Sequence, residues 1–195
     1  MNYAKHLLAY LTLTIAVNGH AASLSLVPMD FMPSYIINGP NEIIITEPNP
    51  TLTFGLFADF SDETTLGGGY SIRWDTNAFE LVSFTASGEG DASFTRDPTA
   101  QDGLLFDGAI GSFGGLPSDF LIGTVVFQMT TAAGGNYVIS PLASTGTSGP
   151  WVSFDLPTQF IDVDYNAMRV RIIPIPGAIW FMVSGLMAVA TFRRR

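Results

Sequence analysis

Side-chain oxygens are the main catalytic material this sequence offers. Asp59, Asp62 and Glu63 fall within five residues, and "GEGDASFTRDPTAQDGLLFDG" supplies Glu89, Asp91, Asp97, Asp102 and Asp107. Carboxylates at this density suit two chemistries. A glycan-cleaving enzyme needs two of them roughly 5–10 Å apart, one kept protonated by an apolar setting. Calcium takes oxygen-only ligand sets on loops. The candidate ligands are Asp59, Asp62 and Glu63, or Asp97 and Asp102. No EF-hand spacing is present, and nothing in the spacing selects an acid–base pair. The expected arrangement is therefore acidic loops facing solvent, with no cofactor other than calcium in question.

Absences narrow the chemistry further. The chain has no cysteine, and its two histidines, His6 and His20, and its one lysine, Lys5, all lie in the first 20 residues. Beyond that point there is no disulfide, no thiolate or imidazole metal site, and no Ser-His-Asp or Cys-His relay. Gly67-Gly68-Gly69 lacks the lysine and the following helix of a phosphate-binding loop and reads as a hairpin. Charge is also unevenly spread. Between Lys5 and the terminal Arg193, Arg194 and Arg195, four arginines (Arg73, Arg96, Arg169, Arg171) face 17 acids, a net charge of −13. Such a surface repels phosphate backbones, so nucleic acid is excluded as a partner, while a cationic partner or a divalent cation is drawn in.

The elements that carry these residues are bounded by two unusual ends. "MNYAKHLLAYLTLTIAVNGHAAS" opens with a positive region at Lys5, an apolar run from Leu7 to Val17 and small residues around Ala21 and Ala22. That is the layout of a secretory signal peptide over residues 1–21, cut after Ala21 or, as the second choice, after Ala22. At the other end, Ile172 to Phe192 holds 21 residues without a charge. At ~1.5 Å per residue this is about 31 Å, enough to cross a hydrocarbon core of ~30 Å. Pro174 and Pro176 start the helix rather than interrupt it, so its helical part is nearer Gly177 to Phe192, about 24 Å, which is short for a span. Trp180 sits at the entry end and Arg193–Arg195 stay cytoplasmic, which places the body outside the inner membrane.

The sequence from Pro174 through "GAIWFMVSGLMAVATF" to three closing arginines resembles a PEP-CTERM sorting signal, here over residues 173–195. The resemblance implies a Gram-negative host that makes exopolysaccharide and recognition by an exosortase, a membrane cysteine protease that cuts near Pro-x-Pro. Pro174, Ile175 and Pro176 would form the sorting motif, with Ile175 where the namesake glutamate stands, and Arg193, Arg194 and Arg195 the cytoplasmic stop. After transient inner-membrane anchoring the protein would reach the cell surface or the medium.

Residues 22–172 have period-two patterning. "TLTFGLFADF" puts Leu52, Phe54, Leu56, Ala58 and Phe60 on one face, "YSIRW" groups Tyr70, Ile72 and Trp74, and "FELVSF" offers Phe79 and Leu81 on one side, Val82 and Phe84 on the other. "FLIGTVVFQM" is apolar on both faces and reads as a central strand. Glycine-rich turns, including Gly67–Gly69, Gly114-Gly115, Gly134-Gly135 and Ser148-Gly149-Pro150, separate short strands, and no helical period is sustained. The fold class is all-β, a β-sandwich. "GGYSIRWDTNAFELVSFTAS" and "IGTVVFQMTTAAGGNYVISPLAS" are similar to cohesin-like domains. That resemblance implies a jelly-roll-like sandwich of about nine strands, which in cellulosomal relatives binds dockerin modules. Thr76 stands where that family usually has proline. Trp74, Trp151, Tyr70 and Tyr165 are expected in the core rather than on a sugar-stacking surface. The expected function is a non-enzymatic, exosortase-sorted structural or adhesive component of an exopolysaccharide matrix. Its partners would be exosortase, the export machinery and extracellular polysaccharide or surface proteins. The alternatives are a carbohydrate-binding module, a cohesin-type protein-binding module, or a carboxylate-based glycan-active enzyme.

Overall fold

In Thr51–Asp59, Leu52, Phe54, Leu56 and Ala58 point the same way and are at most 1% exposed, so alternation alone commits this segment to a half-buried strand. The same logic repeats along the chain. In the computed structural model, residues 22–29, 35–61, 63–87, 93–131, 133–155 and 159–173 are described. They hold, in chain order, β1 (Ser23–Pro28), β2 (Tyr35–Ile37), β3 (Glu42–Ile45), β4 (Thr51–Asp59), β5 (Thr65–Trp74), β6 (Phe79–Ala86) and β7 (Phe94–Arg96). There follow β8 (Thr99–Gln101), β9 (Leu104–Leu116), β10 (Asp119–Met129), β11 (Gly135–Ala143), β12 (Val152–Ser153), β13 (Asp164–Asn166) and β14 (Met168–Ile172). Nine of these are four residues or longer. The others are edge and patch strands too short to be seen in a periodicity.

One sheet has five strands in the order β13-β1-β4-β10-β6, all antiparallel except β1 with β13. The second has nine: β2-β3-β14-β11-β5-β9-β7 in a row, with β12 on β5 and β8 on β9. Their inner faces meet over an aromatic core. Phe127 of β10 lies 5.2 Å from Trp74, 6.2 Å from Phe79 and 6.5 Å from Phe54, ring centre to ring centre. Burying each such ring contributes about 1.5–3 kcal/mol. As expected, Trp74, Trp151 and Tyr70 are core residues, and Tyr165 is half-buried.

The turn joining β5 to β6 lies where the pattern put it. Asp75 Oδ1 accepts the Asn77 N–H at 2.9 Å, and the Asp75 carbonyl accepts from Ala78 N (3.0 Å) and Phe79 N (2.9 Å). This Asx-type turn is held by the Asp75 side chain and carbonyl, with no proline at position 76.

Three local expectations are corrected. Gly67–Gly69 and Gly114-Gly115 lie inside β5 and β9 and do not form turns. The reason is close approach: a Cβ on Gly68 would stand 2.5 Å from Trp151 Cδ2, and one on Gly69 would stand 2.7 Å from the Cβ atoms of Ser144 and Ser148. Second, Phe84 faces the core with Phe79 and Leu81, its ring 6.1 Å from Tyr70 of the opposite sheet. The pairing of β6 with β10 slips between Val126 and Phe127, which inserts Val82 as an extra residue, turns it to solvent at 58% exposure and restores Phe84 to the inner face. Third, Asp107 is not a solvated loop acid.

Of the expectations at the ends, Ala21, Pro174, Ile175, Pro176, Arg193, Arg194 and Arg195 lie outside the described residues, as do Asp62, Glu89 and Asp91. Ala22 begins the described chain; it is buried, and its carbonyl accepts from Asp164 N at 2.8 Å. At the other end Ile173 N donates to Ile45 O (3.1 Å), so the sheet holds the chain up to the residue before Pro174. No helix among the described residues is long and apolar enough to cross a membrane.

Candidate functional site

The outer face of the nine-stranded sheet, over β5, β9 and β7, is where polar and exposed apolar features converge. Gly69 and Gly111 carry no side chains there, which lets other parts of the chain approach the sheet closely. Loop 144–149 lies against the sheet at Gly69, and the end of the Phe94 ring lies against Gly111.

Asp107 fastens the loop. It is 2% exposed and takes a positive φ of 62°, a conformation that Asp tolerates better than most residues. Its carboxylate accepts from Ser144 Oγ (2.6 Å), Ser148 N (3.0 Å), Thr147 N (3.1 Å) and Thr147 Oγ1 (3.1 Å), and pairs with Arg96 Nη1 at 2.9 Å. Its carbonyl accepts from Ser148 Oγ (3.2 Å), and its N–H donates to Ser71 Oγ (3.2 Å). The Ser144 hydroxyl, followed by Ser148 and Thr147, holds the carboxyl well below the usual carboxylate range against the upward push of desolvation. A carboxylate saturated in this way is poorly placed to act as base or nucleophile. It is a clasp that holds loop 144–149 against the sheet.

Beside the clasp stands an exposed aromatic pair. Phe94 and Phe113 have ring centres 5.9 Å apart and are 47% and 81% exposed. Phe154, 41% exposed, packs near Gly115 on the same strand β9. Large apolar rings clustered on a sheet face mark interaction sites rather than stability elements.

The other candidate acids are dispersed. Asp59 closes β4, where its Oδ1 caps Ser61 N (2.8 Å), and Glu63 is exposed beyond the same turn. Asp97 and Asp102 sit on separate turns before and after β8. Among the described residues no three carboxylates gather as a metal would need. One cleft of about 660 Å³, walled by Trp74, Phe79 and Leu81, includes both Glu80 and Asp102. Both acids are exposed, so neither has the apolar setting that keeps a general acid protonated. The acidic "DVD" stretch behaves as its alternation implied, with Val163 buried and Asp162 and Asp164 exposed.

The Asp107 clasp is not singled out by spacing, since Asp107 is one acid among 17 and the partners of its carboxylate in loop 144–149 lie 37 to 41 positions later. A usable signal did exist. Asp-Gly interrupts the apolar run "LLFDGAI", and "STGTSG" later offers hydroxyls and flexible N–H donors.

No family model and no curated protein matches the sequence. Solved structures do match the fold. A type III cohesin module from the cell-surface anchoring scaffoldin ScaE of Ruminococcus flavefaciens superposes with a TM-score of 0.56 at 16% identity, covering 78% of this chain and 87% of that one. The seventh ScaB type I cohesin of Pseudobacteroides cellulosolvens gives 0.53 at 12% identity, over 69% of this chain and 92% of that one. A chain of a type I cohesin–dockerin complex from Clostridium thermocellum gives 0.51 at 11% identity, over 77% and 99%. At such identities the likeness shows a shared sandwich fold.

Proposed function

We propose that this chain is exported and that its body is a non-enzymatic protein-binding module, with its docking surface on the outer face of the nine-stranded sheet. The observation that carries this reading is the Phe94–Phe113 pair on the outer face of β7 and β9, with Phe113 81% exposed. A ring so exposed lowers solubility in a free monomer and is explained by a partner that covers it. The cohesin fold supports the same direction, since one structure of that fold is described as a cohesin–dockerin complex. The net charge of −13 between the termini selects a partner with a cationic rim around an apolar knob.

Export through the 1–21 signal and sorting at Pro174-Ile175-Pro176 complete the reading. Cutting after Ala21 leaves Ala22 to hold Asp164 through its carbonyl, whereas cutting after Ala22 removes that bond, which favours the first site. The partner surface is tested with the double variant Phe94→Ser, Phe113→Ser. Phe113 is mostly exposed and should cost no more than about 0.5 kcal/mol, whereas Phe94, half-buried over Gly111, should cost about 1 kcal/mol, which leaves the protein folded. Capture of a protein partner from the exported fraction should be lost. Undiminished capture by a folded double variant would remove this surface from consideration.

A further inference from the structure

Trp151 leaves a polar atom unanswered. Its side chain is 1% exposed, packed 5.0 Å from the Phe60 ring and 6.5 Å from Phe120, and seated against Gly68. Its indole Nε1–H is a buried side-chain donor with no hydrogen-bond partner, the one such atom among the described residues. Buried indoles ordinarily find an acceptor, and an unmet donor is costly. The polar group beside it is the Tyr165 hydroxyl. Burial pushes that phenol up and the Asp162 charge pushes it further, while the indole N–H pulls it down.

Next to this pair opens a cleft of about 390 Å³, with Ser144, Thr145, Pro150, Trp151, Asp162 and Tyr165 in its walls. The volume is at the small end of ligand sites, which run ~300–1,000 Å³. Its chemistry sorts the possible occupants. The Thr145 and Asp162 side chains are exposed and make no hydrogen bond or ion pair within the described residues. No lysine, arginine or histidine lines the cleft, so an anion finds a carboxylate and no counter-charge. A cation would suit Asp162 but has no acceptor for the Tyr165 and Thr145 hydroxyls. A neutral polyol supplies both donors and acceptors, and the CH face of a pyranose suits the half-buried Tyr165 ring and Pro150.

We propose that this cleft binds a single neutral pyranose unit, with Asp162 accepting from sugar hydroxyls and Tyr165, backed by the Trp151 indole N–H, donating to a sugar oxygen. Ligand binding draws the Tyr165 oxygen onto the indole, so the bound state supplies the hydrogen bond that the free state lacks. The cleft shares no residue with the Phe94–Phe113 pair, and its failure leaves the protein-binding surface untouched.

The test uses the full-length chain in a zwitterionic detergent without a sugar headgroup, labelled at the indole nitrogens of its three tryptophans. Methyl glucoside, galactoside and mannoside are titrated as probes, with choline as the cationic control and glucuronate as the anionic one. At least one neutral glycoside should shift the Trp151 Nε1–H resonance saturably, in the millimolar range, while Trp74 stays put. Asp162→Asn and Tyr165→Phe, at exposed and half-buried positions, should each weaken binding roughly tenfold, the loss expected for one charge-assisted or cooperative hydrogen bond. The proposal is overturned if no neutral glycoside moves the Trp151 signal, if choline moves it and the glycosides do not, or if both variants bind like the parent.

Discussion

Replacing Gly68 by alanine tests whether the glycines of β5 are there for packing. The added Cβ would stand 2.5 Å from Trp151 Cδ2 and 2.6 Å from Trp151 Cα. Relief requires the indole and its backbone to retreat by about an ångström, against Phe60 and Phe120 behind it. Overpacking of this kind costs ~1–3 kcal/mol. Stiffening of the unfolded chain returns ~0.4–1 kcal/mol. The net loss is about 1–2 kcal/mol, which for a chain of this size lowers Tm by about 2–8 °C. Thermal unfolding followed by circular dichroism measures the shift, and tryptophan emission reports displacement of Trp151. Gly149→Ala is the control: its φ of +72° strains the backbone, but nothing lies within 4 Å of the new atom, so stability falls while the emission stays unchanged. Gly67→Ala should be worse than either, because it combines a φ of +124° with a clash against the Ile110 carbonyl. A Gly68→Ala protein that melts at or above the parent temperature with unaltered emission would refute the packing argument.

Other expectations concern the clasp and the termini. Asp107→Asn should free loop 144–149, seen as faster amide exchange at Thr147 and Ser148, whose N–H groups donate to the Asp107 carboxylate. Because that carboxyl is depressed in the folded state, its stabilisation is complete above the ordinary carboxylate pKa of ~3.9 and is lost as pH falls toward the folded value. The parent's urea midpoint should therefore drop on acidification below about pH 4, more steeply than that of Asp107→Asn. Deleting Arg193–Arg195, or changing Pro174 and Pro176 to alanine, should leave unprocessed precursor in the inner membrane, read by mass on a denaturing gel. Normal maturation of these variants would contradict the sorting assignment.

How much could be read from the sequence differs from element to element. β4 was readable because five alternating apolar residues, Leu52 to Phe60, have no competing pattern. The Trp74–Phe79 turn was readable because Asp75 and Asn77 bring their own hydrogen-bonding side chains. What failed did so for a common reason: glycine and bulge signals are local, while their meaning is set by what approaches from elsewhere. Gly68 is a strand residue because Trp151, 83 positions later, needs the space. Val82 escapes the alternation because its partner strand slips at Phe127. Asp107 becomes a clasp only when the 144–149 loop folds back over β9. No spacing along the chain encodes these long-range contacts.

The docking claim itself is best tested by a photo-crosslinking residue placed at position 113 in the exported protein in its own host. Irradiation should give a discrete adduct with another polypeptide, absent when the same group replaces Val82, which is 58% exposed on the opposite sheet. No adduct from position 113, or the same adducts from both positions, would contradict the account.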